Sequence, residues 1–482
     1  MMTSGIRRKA FCACLTATAF LFSMADRFPA PDVQAATIVG DFDGNGAVEF
    51  ADVQLLTQYL TAQSTEIIAG ADMDGNAVID AVDLTLLKRM VLTPQQDESM
   101  TVMVYLCGSD LETQAQQATN DMKEMLAADT SENLNLVIAA GGAEAWSADN
   151  AYVSAGNNYT ITYNAKGIGV SKHPAQSMAT ADALATFITD TAAAYPADRY
   201  ALILWDHGGG PMYGLCYDEV YEQMISIASL QNALDTAQIH FEWIGFDCCV
   251  MACAEVAYAV RDYADYMIAS EESESGLGWS YTGFLNQLAK DPMTDTPLVA
   301  KTIIDDMISA NRRYRMTATL ALYDLSYAET VMYALYDYID EVYGRYEAEG
   351  IAPIIAARSQ AQDFGEGEYD LVDITHFATL LPTENSNALL EAVQQMTLIS
   401  QAYRIENANG MAMWFFENFP QDARYLDVTL GYYGIDATYR QQLQTMATAA
   451  RTESTSSVAA TDDARENNVL IQAFRRWFAG VK

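Results

Sequence analysis

The chain has 482 residues, 26 Lys+Arg against 64 Asp+Glu, and a formal net charge of −38. So acidic a chain concentrates no basic patch on which to seat a phosphate backbone, which excludes nucleic acid as a partner and disfavours anionic membrane surfaces. Its length exceeds what one ordinary core organises, so more than one domain is expected.

The N-terminus carries Arg7-Arg8-Lys9 followed by the apolar run Ala10–Phe22. A basic segment, an apolar segment and small residues at Ala25 or Ala35-Ala36 form the pattern of a secretory signal, so residues 1–36 are expected to be removed on export. No later apolar run is long enough to span a bilayer, so a secreted, extracellular protein is expected. Five cysteines remain after the signal: Cys107, Cys216, Cys248, Cys249 and Cys253. Odd in number and irregular in spacing, they form no disulfide framework, and free thiols outside the cell suit a reducing habitat.

Next comes a duplicated acidic loop. Asp41, Asp43, Asn45, Ala47 and Asp52 recur as Asp72, Asp74, Asn76, Val78 and Asp83 at the same internal spacing. Side-chain oxygens at positions one, three, five and twelve, with a carbonyl at seven, are the ligand set of an EF-hand loop for Ca²⁺. Short apolar helices, Val53–Leu60 and Leu84–Leu92, are expected to follow the loops, and no amphipathic helix precedes either. A loop with its exit helix, twice in tandem and closed by Asp, resembles a type I dockerin over Gly40–Leu92. That resemblance implies a small all-α domain at 37–92 that binds a cohesin module of a scaffolding protein, in a cellulosome-like complex at the cell surface. The positions that read the cohesin are then Phe50-Ala51 and Ala81-Val82. Ala77 stands where the first loop has Gly46, which tightens the turn unfavourably.

Residues 93–99 read as a polar linker. Beyond it, strands are predicted at Thr101–Cys107, Leu134–Ala140, Tyr159–Tyr163, Tyr200–Trp205, Trp243–Phe246 and Tyr266–Ala269. Helical stretches such as Glu112–Leu126 and Thr180–Ala194 lie between them. This alternation predicts an α/β fold with a mostly parallel sheet covered on both faces. Pro297–Glu347 and Asn387–Ile405 read as largely helical, Gly410–Phe416 as a late strand, and 451–482 as a tail without an assigned role.

Two strand ends carry the chemistry. The run ending Trp205-Asp206-His207-Gly208 and the run ending Phe246-Asp247-Cys248-Cys249 both stop at polar, reactive groups. In an open α/β sheet such groups gather beyond the carboxyl ends of parallel strands. There Cys249 is placed as a nucleophile and His207 as its proton-transfer partner. Strand alternation puts Asp247 on the same face as Cys249 and turns Cys248 away. The alanine-rich run after Cys249 reads as a helix whose N-terminus would favour the thiolate. The N–H groups of Gly208 and Cys249 are candidate donors to an oxyanion. Asp247 would oppose ionisation of the thiol, so its expected role is to meet a cationic substrate side chain. His173, His240 and His376 are expected to be structural, Cys107 and Cys253 to pack in cores, and Glu271 and Glu272 either to rim the cleft or to lie on the solvated surface.

At His207-Gly208 and Phe246-Asp247-Cys248-Cys249 the chain resembles the clostripain family of cysteine peptidases, relatives of the caspases. Further similarity lies at Thr101–Gly108, Ala269–Glu274, Leu371–Ile374 and Gly410–Phe415. The resemblance implies a caspase-like α/β/α sandwich over 100–450, a Cys249–His207 dyad, and an Asp247 that selects Arg or Lys beside the scissile bond. Family members commonly mature by self-cleavage at a basic residue between His and Cys, yet no Lys or Arg lies between Arg199 and Arg261. The chain is then uncut, cut elsewhere, or not specific for basic residues. Two rival readings stay open: the same dyad acting on non-basic peptides, and a catalytically silent, scaffold-docked binding protein. The sequence leaves open whether the peptidase domain holds calcium of its own.

Overall fold

The computed structural model describes residues 40, 42–43, 48–61, 71–73, 78–92 and 98–454. The expected signal segment and the chain after Ser454 lie outside the described residues, as do Asp41, Asn45, Ala47, Asp74 and Asn76. Backbone contacts divide the chain into two units, Met1–Asp97 and Glu98–Lys482.

In the first unit two helices, α1 (Phe50–Leu60) and α2 (Ala81–Leu92), close over Val53, Leu56, Tyr59, Ile79 and Leu87. Both begin upstream of their expected starts, which brings Asp52 and Asp83 into their first turns. There an anionic side chain complements the helix dipole, and Asp52 also forms a reciprocal capping box with Glu49.

The second unit is built on a nine-stranded sheet. Its strands are β1 (Met100–Cys107), β2 (Leu134–Gly141), β3 (Asn157–Asn164), β4 (Gly167–Pro174), β5 (Arg199–Trp205), β6 (Phe241–Asp247), β7 (Ala264–Ala269), β8 (Ala318–Asp324) and β9 (Thr397–Tyr403). Across the sheet the order is β9-β8-β7-β6-β5-β1-β2-β3-β4. The central five, β7 to β2, are parallel, and two antiparallel strands flank them on each side. Strand β1 is buried along its whole length, as expected of a parallel strand covered on both faces. Met103, Tyr105 and Cys107 enter one core while Val102, Val104 and Leu106 enter the other.

Several expected elements are corrected. The stretch read as helix over Pro297–Glu347 contains β8 between helices Thr296–Tyr314 and Ala328–Glu349. A short apolar run between two helices has no period that separates strand from helix. In Asn387–Ile405 the helix stops at Met396 and β9 follows, alternately exposed and half-buried at the sheet edge. The helix expected over Glu112–Leu126 is two helices, Ser109–Ala115 and Gln117–Met125, separated by left-handed Gln116. The late strand is Ala412–Trp414, and it belongs to a separate three-stranded sheet with Asp363–Phe364 and Leu371–Asp373. Strand β4 is exposed throughout, so it offers no hydrophobic alternation to find.

Candidate active site

Strands β5 and β6 are parallel neighbours, with Trp205 opposite Asp247 in register. His207 and Cys249 each lie two residues beyond this pair, so the sheet delivers them side by side at its carboxyl edge. The approach is tight. A Cβ built on Gly208 would lie 2.1 Å from the Cys249 carbonyl oxygen, so this position admits only glycine. The turn is held by Cys216 N–H donating to the His207 carbonyl (3.0 Å) and Gly209 N–H donating to the Gly214 carbonyl (2.8 Å). That ladder uses neither the N–H nor the carbonyl of Gly208. Just after the candidate nucleophile, Val250 adopts φ 55°, a left-handed conformation costing a β-branched residue about 1–3 kcal/mol.

Cys249 and His207 share a cavity of about 180 Å³ with Asp121, Asp247 and Glu274. Asp247 Oδ2 accepts from the Tyr281 hydroxyl (2.7 Å) and the Trp279 N–H (3.4 Å). Asp121 Oδ2 accepts from the Trp205 indole N–H (2.7 Å). Burial pushes the Asp247 carboxyl up to about 6, while burial and the Asp247 charge hold Asp121 and Glu274 well above the ordinary carboxylate range. A larger groove of about 630 Å³, walled by Tyr213, Met224 and Tyr432, contains neither Cys249 nor His207.

His207 is held from the opposite side. Its Nε2 lies 2.8 Å from Asp110 Oδ1, an acid on the short helix that follows β1. Burial lowers the proton affinity of the imidazole, but the Asp206 and Asp110 charges outweigh it and raise His207 above its usual value. Burial likewise works against ionised Asp110, yet the His207 hydrogen bond and charge bring that carboxyl below its usual value. Asp206 accepts from Ser109 Oγ and from the Tyr217 N–H, and burial pushes it up to about 7. Residue patterns did not single out Asp110, Asp121, Asp206 or Tyr281. Their one legible signal is position, since Asp110 follows a strand end at the same sheet edge.

The expected thiolate-favouring helix is not at Cys249. The helix begins at Ala254 with Cys253 as its cap, and residues 248–252 form an irregular turn. Burial pushes the Cys249 thiol up to about 12, partly offset by the Glu274 N–H, which donates to Sγ at 3.2 Å. The resting sulfur is therefore a thiol. Cys248 turns back into the fold, its Sγ 3.2 Å from the Leu204 carbonyl.

Glu271 and Glu272 do not rim this cavity. Glu271 is buried and accepts from the Gly410 N–H, and Glu272 accepts from the Ser273 and Gly365 N–H groups. Glu274 and Ser275 occupy the rim instead. His173 meets Thr160, His240 meets Asp265, and His376 accepts from the Gln362 N–H, all away from the cavity. Cys107 and Cys253 are fully buried.

In the first unit the described loop residues fit a calcium site. Asp52 is fully buried, with Oδ1 accepting from Phe42 N–H (2.7 Å) and Asp43 N–H (3.2 Å), and Oδ2 from Glu49 N–H (2.8 Å). Asp83 repeats this with Met73 N–H (2.7 Å) and Asp80 N–H (2.7 Å). In each loop the described N–H groups thus turn onto a buried carboxylate, and the ligand positions read from the sequence are all oxygen donors, the chemistry a hard cation takes.

These features agree with likeness to known proteins. The clostripain family model matches residues 104–427, and the dockerin type I domain model matches residues 39–92. Clostripain from Hathewaya histolytica is 24% identical over 340 residues, covering 58% of this chain and 64% of its own length. The chain therefore spans less than two thirds of that relative. A secreted C11 cysteine protease from Bacteroides thetaiotaomicron, solved with an irreversible peptide inhibitor, has a TM-score of 0.55 at 20% identity, covering 70% of this chain and 98% of that one. An inactive zymogen C11 protease from Parabacteroides distasonis gives 0.53 at 20% identity, covering 72% and 98%. At such identities the two structures establish the shared fold. The family match runs unbroken across both strand ends and the cavity between them, and the chain belongs to the clostripain family of cysteine peptidases.

Proposed function

We propose that the protein is a secreted cysteine endopeptidase that cleaves after Arg or Lys and is tethered by residues 37–92 to a cohesin-bearing scaffold. One observation carries this reading. The cavity that joins Cys249 to His207 is also lined by Asp121, Asp247 and Glu274, and among the described residues by no Lys or Arg.

The proposed chemistry starts from a neutral thiol. As substrate seats, the Cys249 proton passes to His207 and the sulfur attacks the scissile carbonyl carbon. The Gly208 and Cys249 N–H groups receive the oxyanion, and losing one such donor typically costs ~10²–10³ in rate. Collapse of the tetrahedral species breaks the C–N bond while His207 returns its proton to the leaving nitrogen. Water, losing a proton to His207, then hydrolyses the thioester and restores the thiol. Asp110 keeps Nε2 engaged, which leaves Nδ1 as the exchanging nitrogen. In the dockerin-like unit, Asp41, Asp43, Asn45, Ala47 and Asp52, and likewise Asp72, Asp74, Asn76, Val78 and Asp83, would hold Ca²⁺. The bound ion supplies the positive charge that gathers these oxygens. Phe50 and Val82 are largely exposed, which supports docking of a cohesin over these helix starts.

The test is a fluorogenic peptide panel cleaved by wild type, Cys249→Ala and Asp247→Ala. Turnover restricted to basic residues, absent in Cys249→Ala and stripped of its basic preference in Asp247→Ala, is the expected result. Equal cleavage after neutral residues by the wild type would remove the specificity, and turnover by Cys249→Ala would remove the nucleophile.

A further inference from the structure

The structure corrects one expectation, that so acidic a chain gathers no basic patch. The helix Thr296–Tyr314 ends at Arg312, Arg313 and Arg315, and the turn after β9 brings Arg404 beside them, its Nη1 donating to the Arg315 carbonyl (2.6 Å). The Arg312 guanidinium lies 5.4 Å from the centre of the Tyr403 ring. Residues 312–317 and Arg404 are all exposed, Tyr314 and Met316 among them. Among the described residues none of the four arginines is ion-paired, although Arg199, Arg261, Arg345, Arg358 and Arg440 each hold a carboxylate. The acids nearest in sequence, Asp306 and Glu406, form no ion pair with them.

Packing does not account for this patch. Cations in a last helical turn complement the dipole, which explains Arg312 and Arg313 but neither Arg315 nor Arg404. Those two sit at φ 61° and 63°, a left-handed conformation that favours glycine. Among the described residues no hydrogen bond, ion pair or ring contact engages the side chain of Arg313 or Arg315.

Position supplies a reason. Strand β8 runs antiparallel to β7 and β9, with Ala321 opposite Ala269 and Ala318 opposite Tyr403. The patch therefore lies at the carboxyl edge of the parallel strands, the edge that carries Cys249 and His207. The loop after β7 joins the two places. Its Glu272 N–H donates to Thr319 Oγ1 on β8 (2.9 Å), and its Glu274 N–H donates to Cys249 Sγ. Strands β8 and β9 stand two and three places from β6, which puts the patch roughly 10–15 Å along the edge from the nucleophile. An extended chain covers that span in about three to five residues.

We propose that Arg312, Arg313, Arg315 and Arg404 form an exosite for a short acidic segment of the protein substrate, about three to five residues from the scissile bond. This rests on the reading of Cys249 as the nucleophile of an endopeptidase. The arginines lie on the rim, so their ion pairs steer and hold the substrate without entering the bond-breaking step. They act on KM and not on kcat. Nucleic acid is the poorer fit. Four arginines fall short of the ~6–10 phosphate contacts such binders make, and a chain of charge −38 repels a long polyanion.

The test gives the full-length enzyme four peptides, each with one Arg, a short Gly-Ser spacer and a tail of three Glu or three Gln, on the amino or the carboxyl side of the Arg. A substrate chain crosses the cleft in one direction, so only one of the two tail placements reaches the patch. In that placement KM for the Glu peptide should lie about tenfold below KM for its Gln counterpart at low salt. Near 1 M salt, where the screening length is about 3 Å, the difference should vanish. Arg313→Gln with Arg315→Gln should bring the KM ratio close to one, and Lys at both positions should keep it. Glu at both should reverse it in favour of the Gln tail. Equal KM values in both placements, or a preference for Glu that survives Glu at 313 and 315, overturns this inference alone. So does a fluorescent DNA oligonucleotide that binds through these arginines while the peptides are not distinguished, since the patch then serves a polyanion. Arginyl peptides left uncleaved with every tail overturn the substrate reading and this inference together.

Discussion

The pairing of Asp110 with His207 has a consequence for pH dependence. The two carboxylates beside His207 hold it protonated above the ordinary imidazole value, and the Cys249 thiol stays neutral up to far higher pH. Transfer of the thiol proton needs a neutral imidazole. The acid limb of kcat/KM for a peptide should therefore lie above pH 6.5, with activity rising as pH rises through it. Asp110→Asn removes one of the charges that raise His207, so the limb should move to lower pH. The plateau rate should fall by up to ~10⁴, the scale seen when a His-orienting carboxylate is neutralised. Rate measurements from pH 5 to 9 separate the two effects, because a purely structural role for Asp110 would lower the plateau without moving the limb. Asp110 was not legible as a site residue. It lies 97 positions before His207 and meets it only because β1 and β5 are neighbours.

At the scale of elements, the turn after Cys249 is braced by a small buried charge network. Arg358 is fully buried, ion-pairs with Asp363 and with Glu417 (2.8 Å), and donates through Nε to the Phe415 carbonyl (3.0 Å). It ties the helix Ala352–Arg358 to the three-stranded sheet. The next residues of that sheet reach the site, since Gly365 N–H donates to Glu272, whose carbonyl accepts from Val250 N–H. Arg358→Met would strand two half-buried carboxylates, and removing one partner of a buried pair costs about 3–5 kcal/mol. Urea denaturation should show this loss in the peptidase unit, and a change below about 1 kcal/mol would count against the brace. The parallel strands were legible because each is an apolar run ending at a turn. Strand β8 was hidden between helices of like composition, and β9 and β4 are edges with little buried surface to impose a pattern.

For the whole molecule, separate units with separate cores predict separate unfolding. Among the described residues the first unit buries few apolar side chains, and if it binds calcium as proposed, a core that small should draw much of its stability from the ion. Scanning calorimetry of the full chain with EDTA should erase or lower one transition, abolish cohesin binding, and leave the peptidase transition in place. A chelator-insensitive pair of transitions would remove calcium from the structural account. The charge of −38 belongs to this scale too. It lowers no barrier by itself, but it raises the local concentration of cationic peptides around an acidic cavity, an attraction that salt screens.

By itself the sequence determined which residues could react. A histidine and a cysteine at the ends of two apolar runs, and acidic positions repeated at ligand spacing, are local patterns that survive without coordinates. Tertiary structure decided what surrounds them. Asp110 reaches His207, and Asp121 and Glu274 reach the cavity of Cys249, only through the strand order and the loop after β7. It also decided that the thiol rests neutral, because the turn at Val250 delays the helix to Ala254 and burial acts unopposed by its dipole. Reactivity is written in residue type, whereas electrostatics depends on distances that only the folded chain sets.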